Sequence, residues 1–243
     1  MKIRTLIVGY VLALALFLFA QRHPSASSPT EFRAVVDLTH PVSLHALAFE
    51  RARNSVLSPE LFGTRIDAPA HFARSLWTVD QIPTERLIAP LVVVDVTAKT
   101  ANRPDYQISV EDIAQWEQAH NQIPLGSVIM ARTGWDSRWN SIKDYRNADR
   151  AGTMHFPGYS QDAAKFLIEG RNALGLGIDT LSIDYGASKN FPVRQYTLSH
   201  SVYQLENVAN LDRAPATGGM VVVAPTKLES GSDGPVRILA LVH

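Results

Sequence analysis

The chain has 243 residues, 46% of them hydrophobic, with 23 basic and 23 acidic side chains and no cysteine. Balanced charge without a Lys/Arg run excludes a nucleic-acid footprint, and the missing thiols exclude disulfides, thiolate catalysis and cysteine–zinc sites. Fourteen Gly and fourteen Pro spread along a chain of this length predict one domain of short strands and structured loops, not a helical bundle.

Lys2 and Arg4 precede an uncharged, mostly apolar run from Leu6 to Ala20. This is the pattern of a positive n-region and an apolar h-region, and it is short for a spanning helix, which wants about 20 apolar residues. Residues 1–28 therefore read as a signal peptide or an uncleaved signal anchor, 29–34 as a tether and 35–243 as the working domain. The expected location is periplasmic or extracellular, with membrane contact only through an uncleaved anchor.

Ala34-Val35-Val36-Asp37-Leu38 predicts a first strand that ends in Thr39-His40-Pro41. Residues 43–62 lack periodicity and predict a long loop, a kind of segment that is often functional in a compact domain. The loop leads into Gly63-Thr64-Arg65-Ile66-Asp67-Ala68-Pro69-Ala70-His71-Phe72. Apolar and polar residues alternate here with period 2, the pattern of a half-buried strand. Arg65 and Asp67 then share a face, with His71 next along it if the segment stays extended. Pro69 removes a ladder donor, so the chain is expected to leave its sheet there and present His71 at an edge or cleft. On these residues alone, a plain Arg–Asp surface pair with a stray histidine and a functional acid–histidine site both stay open.

Leu91-Val92-Val93-Val94-Asp95-Val96 predicts a central strand. Ser109 can cap a following helix with Asp112 as reciprocal partner; Val110, Ile113 and Ala114 would form its apolar stripe, and it should stop before Pro124. Ser127 to Ala131 predicts a strand, and Gln161 to Glu169 a second helix broken by Gly170. Leu174 to Asp179 carries glycines where backbones can approach closely. Met220–Ala224 and Val236–Val242 predict two late strands. Many strands with few, partly grouped helices describe an α/β fold with a mixed central sheet or partly closed β-barrel flanked by helices.

Four further segments accompany the opening motif: Asp37-Leu38-Thr39-His40-Pro41, Trp77 to Pro83, Gly177 to Asp184, and Leu205-Glu206-Asn207-Val208-Ala209-Asn210-Leu211. Together they resemble the cyclase family of metal-dependent hydrolases, which includes bacterial kynurenine formamidases and isatin hydrolases, over roughly Val35 to Val242. The resemblance implies a kynurenine formamidase-like swivelling β/β/α domain, a small-molecule substrate and a homo-oligomer. The family's motif, His-x-Gly-Thr-His-x-Asp-x-Pro-x-His, runs from Leu61 to His71 in this chain. Its two metal-binding histidines fall on Leu61 and Arg65, its metal-binding aspartate on Asp67, and its general acid/base on His71. A further histidine expected twelve residues before the ligand glutamate, Glu206, is Arg194.

Asp67 and Glu206 are thus the retained metal positions, while Leu61, Arg65 and Arg194 cannot ligate: leucine has no donor atom and arginine stays protonated. Zinc hydrolysis wants about three protein ligands and an open position. The expectation is no resident cofactor, with zinc or manganese only if the family chemistry survives. Two buried carboxylates stripped of a cation would repel or take up a proton, so Arg65 and Arg194 are expected to pair with Asp67 and Glu206 in the cation's stead. The competing arrangement points both arginines to solvent. A substitute site from Asp67, His71, His200 and Glu206 is disfavoured, because six residues of strand separate the last two by roughly 20 Å.

Two functions follow as expectations. One is hydrolysis of a small cyclic or aromatic amide or ester, with His71 as base, Arg65 stabilising the oxyanion and Glu206 orienting. The other is a metal-free relative that binds a small anionic or aromatic ligand without turnover. In both, Arg194 and Trp77 contact the ligand, with Trp135 and Trp139 as further candidate walls; plain core packing of those tryptophans is the competing reading. Among the other histidines, His40 is expected to brace the first strand. His45 and His155 fall in loops, and His23, His120 and His243 are peripheral.

Overall fold

A computed structural model describes residues 32–41 and 63–242. The signal-like segment, the first half of the tether, the loop expected over 43–62 with Leu61, and His23, His45 and His243 lie outside the described residues. Arg33–Val242 form one compact unit, and its first strand, β1 (Ala34–Asp37), begins on the last residue assigned to the tether.

The strands that follow are β2 (Arg65–Asp67), β3 (Ile88–Asp95), β4 (Gln107–Ile108), β5 (Val128–Arg132), β6 (Gly158–Tyr159), β7 (Gly175–Ile178), β8 (Tyr203–Glu206), β9 (Gly219–Pro225) and β10 (Asp233–Val242). Seven of them pair in the order β10-β2-β8-β7-β5-β3-β9, and β9 closes back onto β10. The sheet is therefore a closed mixed barrel, more complete than the partly closed one expected. Neighbours from β3 through β5 and β7 to β8 run parallel, and β1 adds to β10 from outside the ring.

Strand alternation divides the core in two. Leu91 and Val93 of β3, Val128 and Met130 of β5, and Leu205 of β8 fill the barrel interior. Val92, Val94, Ile129, Ala131, Leu176 and Ile178 face outward beneath the helices. Burial on both faces explains why these parallel strands read as continuous apolar runs. Gly175 and Gly177 face the interior, where a Cβ on Gly175 would lie 2.2 Å from the Tyr203 ring and one on Gly177 2.9 Å from Met130.

The helices are α1 (Thr97–Thr100), α2 (Val110–His120), α3 (Ile142–Arg146), α4 (Gln161–Arg171) and α5 (Pro192–Ser199). The capping box on α2 forms as expected: Asp112 N donates to Ser109 Oγ at 3.3 Å, and Ser109 N donates to Asp112 Oδ2 at 2.8 Å. Its stripe differs. Ala114 is exposed, and Trp116, one turn beyond Ile113, turns inward with its Nε1 donating to Val93 O at 2.8 Å. Gly170 does not break α4. The helix continues to Arg171 and ends at Asn172, whose φ of 50° supplies the left-handed stop.

Candidate active site

β2 lies between β10 and β8, so three distant parts of the chain meet along it. Arg65 pairs in register with Glu206 and Asp67 with Gln204, while Asp67 faces Asp233 on the other side. Because Ile66 and Leu205 point into the barrel, Arg65, Asp67 and Glu206 project from its outer face. Gly63 enters β2 with φ of 84°, and a Cβ there would lie 2.7 Å from His40 O. Asn207 ties the two strand ends together: its Nδ2 donates to Gly63 O at 3.0 Å, and its carbonyl accepts from Thr64 Oγ1 at 2.6 Å.

After Asp67 the chain leaves the sheet, as Pro69 predicts, in a 3-10 turn over Pro69–His71. His71 therefore does not continue the extended face. The turn packs against α5, which carries Arg194 in its first turn. Asp184 fixes that end by accepting from Val193 N and Arg194 N, both at 2.9 Å.

Arg65 and Arg194 sit against both carboxylates. Arg65 Nη2 donates to Asp67 Oδ1, and Arg194 Nη2 donates to Glu206 Oε1 at 2.7 Å. The crossed contacts are longer, Arg65 Nη1 to Glu206 Oε2 at 3.6 Å and Arg194 Nη2 to Asp67 Oδ2 at 3.7 Å. The result is a ring of alternating charge in which both acid side chains are fully buried. Burial works against the charge on Arg65, yet Asp67 and Glu206 outweigh it and hold the guanidinium above its ordinary range. Glu206 holds Arg194 above its range in the same way. Burial pushes Glu206 up, and Arg194 pulls it back.

His71 lies beside this ring. Its Nδ1 is 3.0 Å from Asp233 Oδ2 and 3.3 Å from Ser232 Oγ. The bond to Asp233 raises the imidazole above its ordinary value, against the effect of burial, and the same bond lowers Asp233. His71, Arg65 and Arg194 line one cleft of about 390 Å³, whose apolar wall includes Phe156, Leu181 and Phe191. Ser182 and Lys189 are part of its polar lining, and Ser182 Oγ accepts from Arg194 Nη2 at 3.2 Å.

The expectations for the tryptophans are corrected. Trp77 does not line the cleft; its ring packs on the barrel core, with the Arg86 guanidinium carbon 5.3 Å from its centroid. Trp135 is buried and donates to Tyr145 O at 2.8 Å, and Trp139 stacks on His40 at 3.9 Å. The aromatic lining comes from Phe156, Tyr185 and Phe191, none of which the sequence singled out. Burial pushes His40 down to about 4, a neutral ring bracing the first strand's end. His200 ends α5 with its ring over Tyr196, and a turn at Ser201 stands between it and β8, so the two side chains of His200 and Glu206 do not lie on one continuous strand. His155 pairs with Asp105 at 2.8 Å. Asp233, Ser232 and Lys189 escaped the sequence reading, and Ser182 stood there only inside the Gly177–Asp184 segment; the turn composition of Ser230-Gly231-Ser232-Asp233-Gly234 is the one local signal near Asp233.

The described residues around Asp67 and Glu206 do not fit a divalent cation. Among the described residues no three His, Cys, Asp or Glu side chains gather around one point. Each retained carboxylate gives one oxygen to a guanidinium, and Asp67 Oδ2 and Glu206 Oε2, without hydrogen bonds, face the other guanidinium. A cation between those oxygens would stand among fixed positive charges.

Comparison with known proteins places this geometry. Residues 36–185 match the Cyclase family model. The isatin hydrolase of Roseibium aggregatum is 34% identical over 199 residues, 79% of this chain and 75% of that protein. The kynurenine formamidase of Polaromonas naphthalenivorans is 37% identical over 183 residues, 75% of this chain and 71% of that protein. The structure of isatin hydrolase A from Labrenzia aggregata, bound to benzyl benzoate, superposes with a TM-score of 0.74 at 31% identity, covering 86% of this chain and 93% of that one. More distant structures described as metal-dependent hydrolases share the fold at 24% identity.

Proposed function

The chain belongs to the cyclase family, and from that premise we propose that it hydrolyses a small cyclic or aromatic amide or ester without a divalent metal. One observation carries this reading: His71 lines the same cleft as Arg65 and Arg194, whose charges stand where the family motif puts histidine ligands. Neutral His71 takes a proton from water through Nε2 while the water oxygen bonds to the substrate carbonyl carbon. The carbonyl electron pair moves onto oxygen, and the guanidinium groups, which do not lose their protons, face that negative charge. Collapse breaks the C–N or C–O bond, and the proton on Nε2 passes to the leaving group. Asp67 and Glu206 orient the arginines. The relatives' names, isatin hydrolase and kynurenine formamidase, support an aromatic amide as substrate class.

The test is a hydrolysis panel containing isatin, N-formylkynurenine and aryl esters, run on purified protein before and after chelator treatment, with elemental analysis alongside. Turnover that survives chelation and falls at least about 100-fold in His71→Ala supports the reading. Stoichiometric zinc or manganese with chelator-sensitive turnover overturns its metal-free part.

A second reading, a non-catalytic relative that binds a small anionic or aromatic ligand, is favoured by the lining of the cleft. Among the described residues Arg65, Lys189 and Arg194 line it and no carboxylate does. Saturable binding of benzoate without turnover of any panel member selects this reading. Export through the N-terminal segment and homo-oligomerisation belong to the same proposal, and cell fractionation and light scattering test them.

A further inference from the structure

His71 and Asp233 are both partly exposed, with side chains 26% and 32% accessible, and a pair of that kind is often only a surface contact worth little. The surroundings here differ from a chance surface pair. Asp233 opens β10 directly opposite Asp67, so strand register sets its position relative to the segment that carries His71. The turn before it is bonded to that same segment and to the 3-10 turn that follows it: Ala68 N donates to Ser232 O at 2.9 Å and Val79 N to Gly231 O at 2.8 Å. Ser232 Oγ donates to Asp233 Oδ2 at 3.2 Å, which holds the carboxylate oxygen that meets His71. Backbone and side-chain bonds thus aim Asp233 at one ring nitrogen.

We propose that Asp233 is a positioning residue for His71: with Ser232 beside it, its carboxylate accepts the Nδ1 proton and fixes the tautomer whose unprotonated Nε2 is open to the cleft. A neutral imidazole carries its proton on one nitrogen, and the hydrogen bond made by that nitrogen selects which. A carboxylate can only accept, so the proton sits on Nδ1 and Nε2 keeps its lone pair. Among the described residues no protein group pairs with Nε2, and His71 lines the cleft. The inference rests on His71 acting as the base in the reading above, but the tautomer is a property of the resting protein. Other charges act on His71 as well. Asp67 on β2 favours the protonated ring and Arg194 on α5 opposes it, while Arg65 acts on Asp233.

The test is nitrogen NMR of the imidazole rings in the whole chain, with His71 assigned by comparison with His71→Gln. Wild-type His71 is expected to show the Nδ1-protonated tautomer once neutral. Its titration midpoint should fall by about one pH unit in Asp233→Asn and return in Asp233→Glu. On any panel substrate that is turned over, Asp233→Asn should lower kcat about tenfold or more with little change in KM. An Nε2-protonated ring in the wild type, a measurement that needs no variant, overturns the proposal. So does a midpoint unmoved by Asp233→Asn in a protein whose circular dichroism shows it folded. If no substrate turns over while the tautomer is as stated, the hydrolase reading fails and the positioning stands.

Discussion

Arg194 donates to Glu206 at 2.7 Å across twelve residues of sequence, and that bond closes the ring of alternating charge. Because both carboxylates are fully buried, the ring is costly to open from one side. Removing one partner leaves an uncompensated buried charge, at a cost of about 3–5 kcal/mol. Arg194→Ala is expected to lose that much stability in urea denaturation. Arg194→Met combined with Glu206→Gln should lose clearly less than the single variants together. A loss under about 1 kcal/mol for Arg194→Ala would mean that the ring holds little together.

Replacing the guanidinium groups should change what the site binds. Leu61→His, Arg65→His and Arg194→His together return nitrogen donors beside Asp67 and Glu206. The triple variant is expected to melt at higher temperature as zinc is added, as a folded-state ligand requires. The wild type should respond neither to zinc nor to chelator. A zinc-dependent rise in the wild type would count against the loss of the cation site.

The His71–Asp233 pair also makes stability depend on pH in a defined direction. His71 is raised above its ordinary 6.5, so its contribution is fully present below that value and is lost as pH rises through the folded-state value. Asp233 is lowered from 3.8, so its contribution is present above that value and fades as pH falls through the folded-state value. The melting-temperature gap between wild type and Asp233→Asn should be widest between about pH 4 and pH 6.5 and should narrow toward alkaline pH. A gap that widens with rising pH would contradict the assigned direction.

Asp179 offers a stability test at a residue that does not itself line the cleft. Its buried carboxylate accepts from Thr133 N and Thr133 Oγ1, and from Gly134 N and Trp135 N, at distances from 2.6 to 3.2 Å. Asp179→Ala leaves those donors without their acceptor and is expected to cost about 3 kcal/mol or more, measured by chemical denaturation. Near-wild-type stability would show that the loop after β5 finds other partners.

Local pattern made much of the architecture legible. The apolar run at Leu91–Val96 is a strand because both its faces are buried, and Ser109 with Asp112 marks a helix start through bonds made within one turn. Pro69 announces the end of β2 because it has no N–H to give a ladder. The misreadings were also local. Gly170 stays helical and the helix stops instead at Asn172, where a left-handed residue is tolerated, and Trp116 displaces Ala114 because its indole reaches Val93.

By itself the sequence determined the charges at the site. Arginine at positions 65 and 194 and leucine at 61 supply no metal-donor atom, whatever the fold, and Asp67, His71 and Glu206 keep the residue types of the motif the chain resembles. Which charges meet depends on pairing between distant strands. Arg65 opposes Glu206 because β2 and β8 pair in that register, and a one-residue slip would turn one of them into the barrel. The structure also removed Trp77 from the cleft and brought Asp233 to His71. A cross-strand neighbour leaves no trace in the spacing of residues along the chain, because its position is set by pairing between strands and by closure of the barrel.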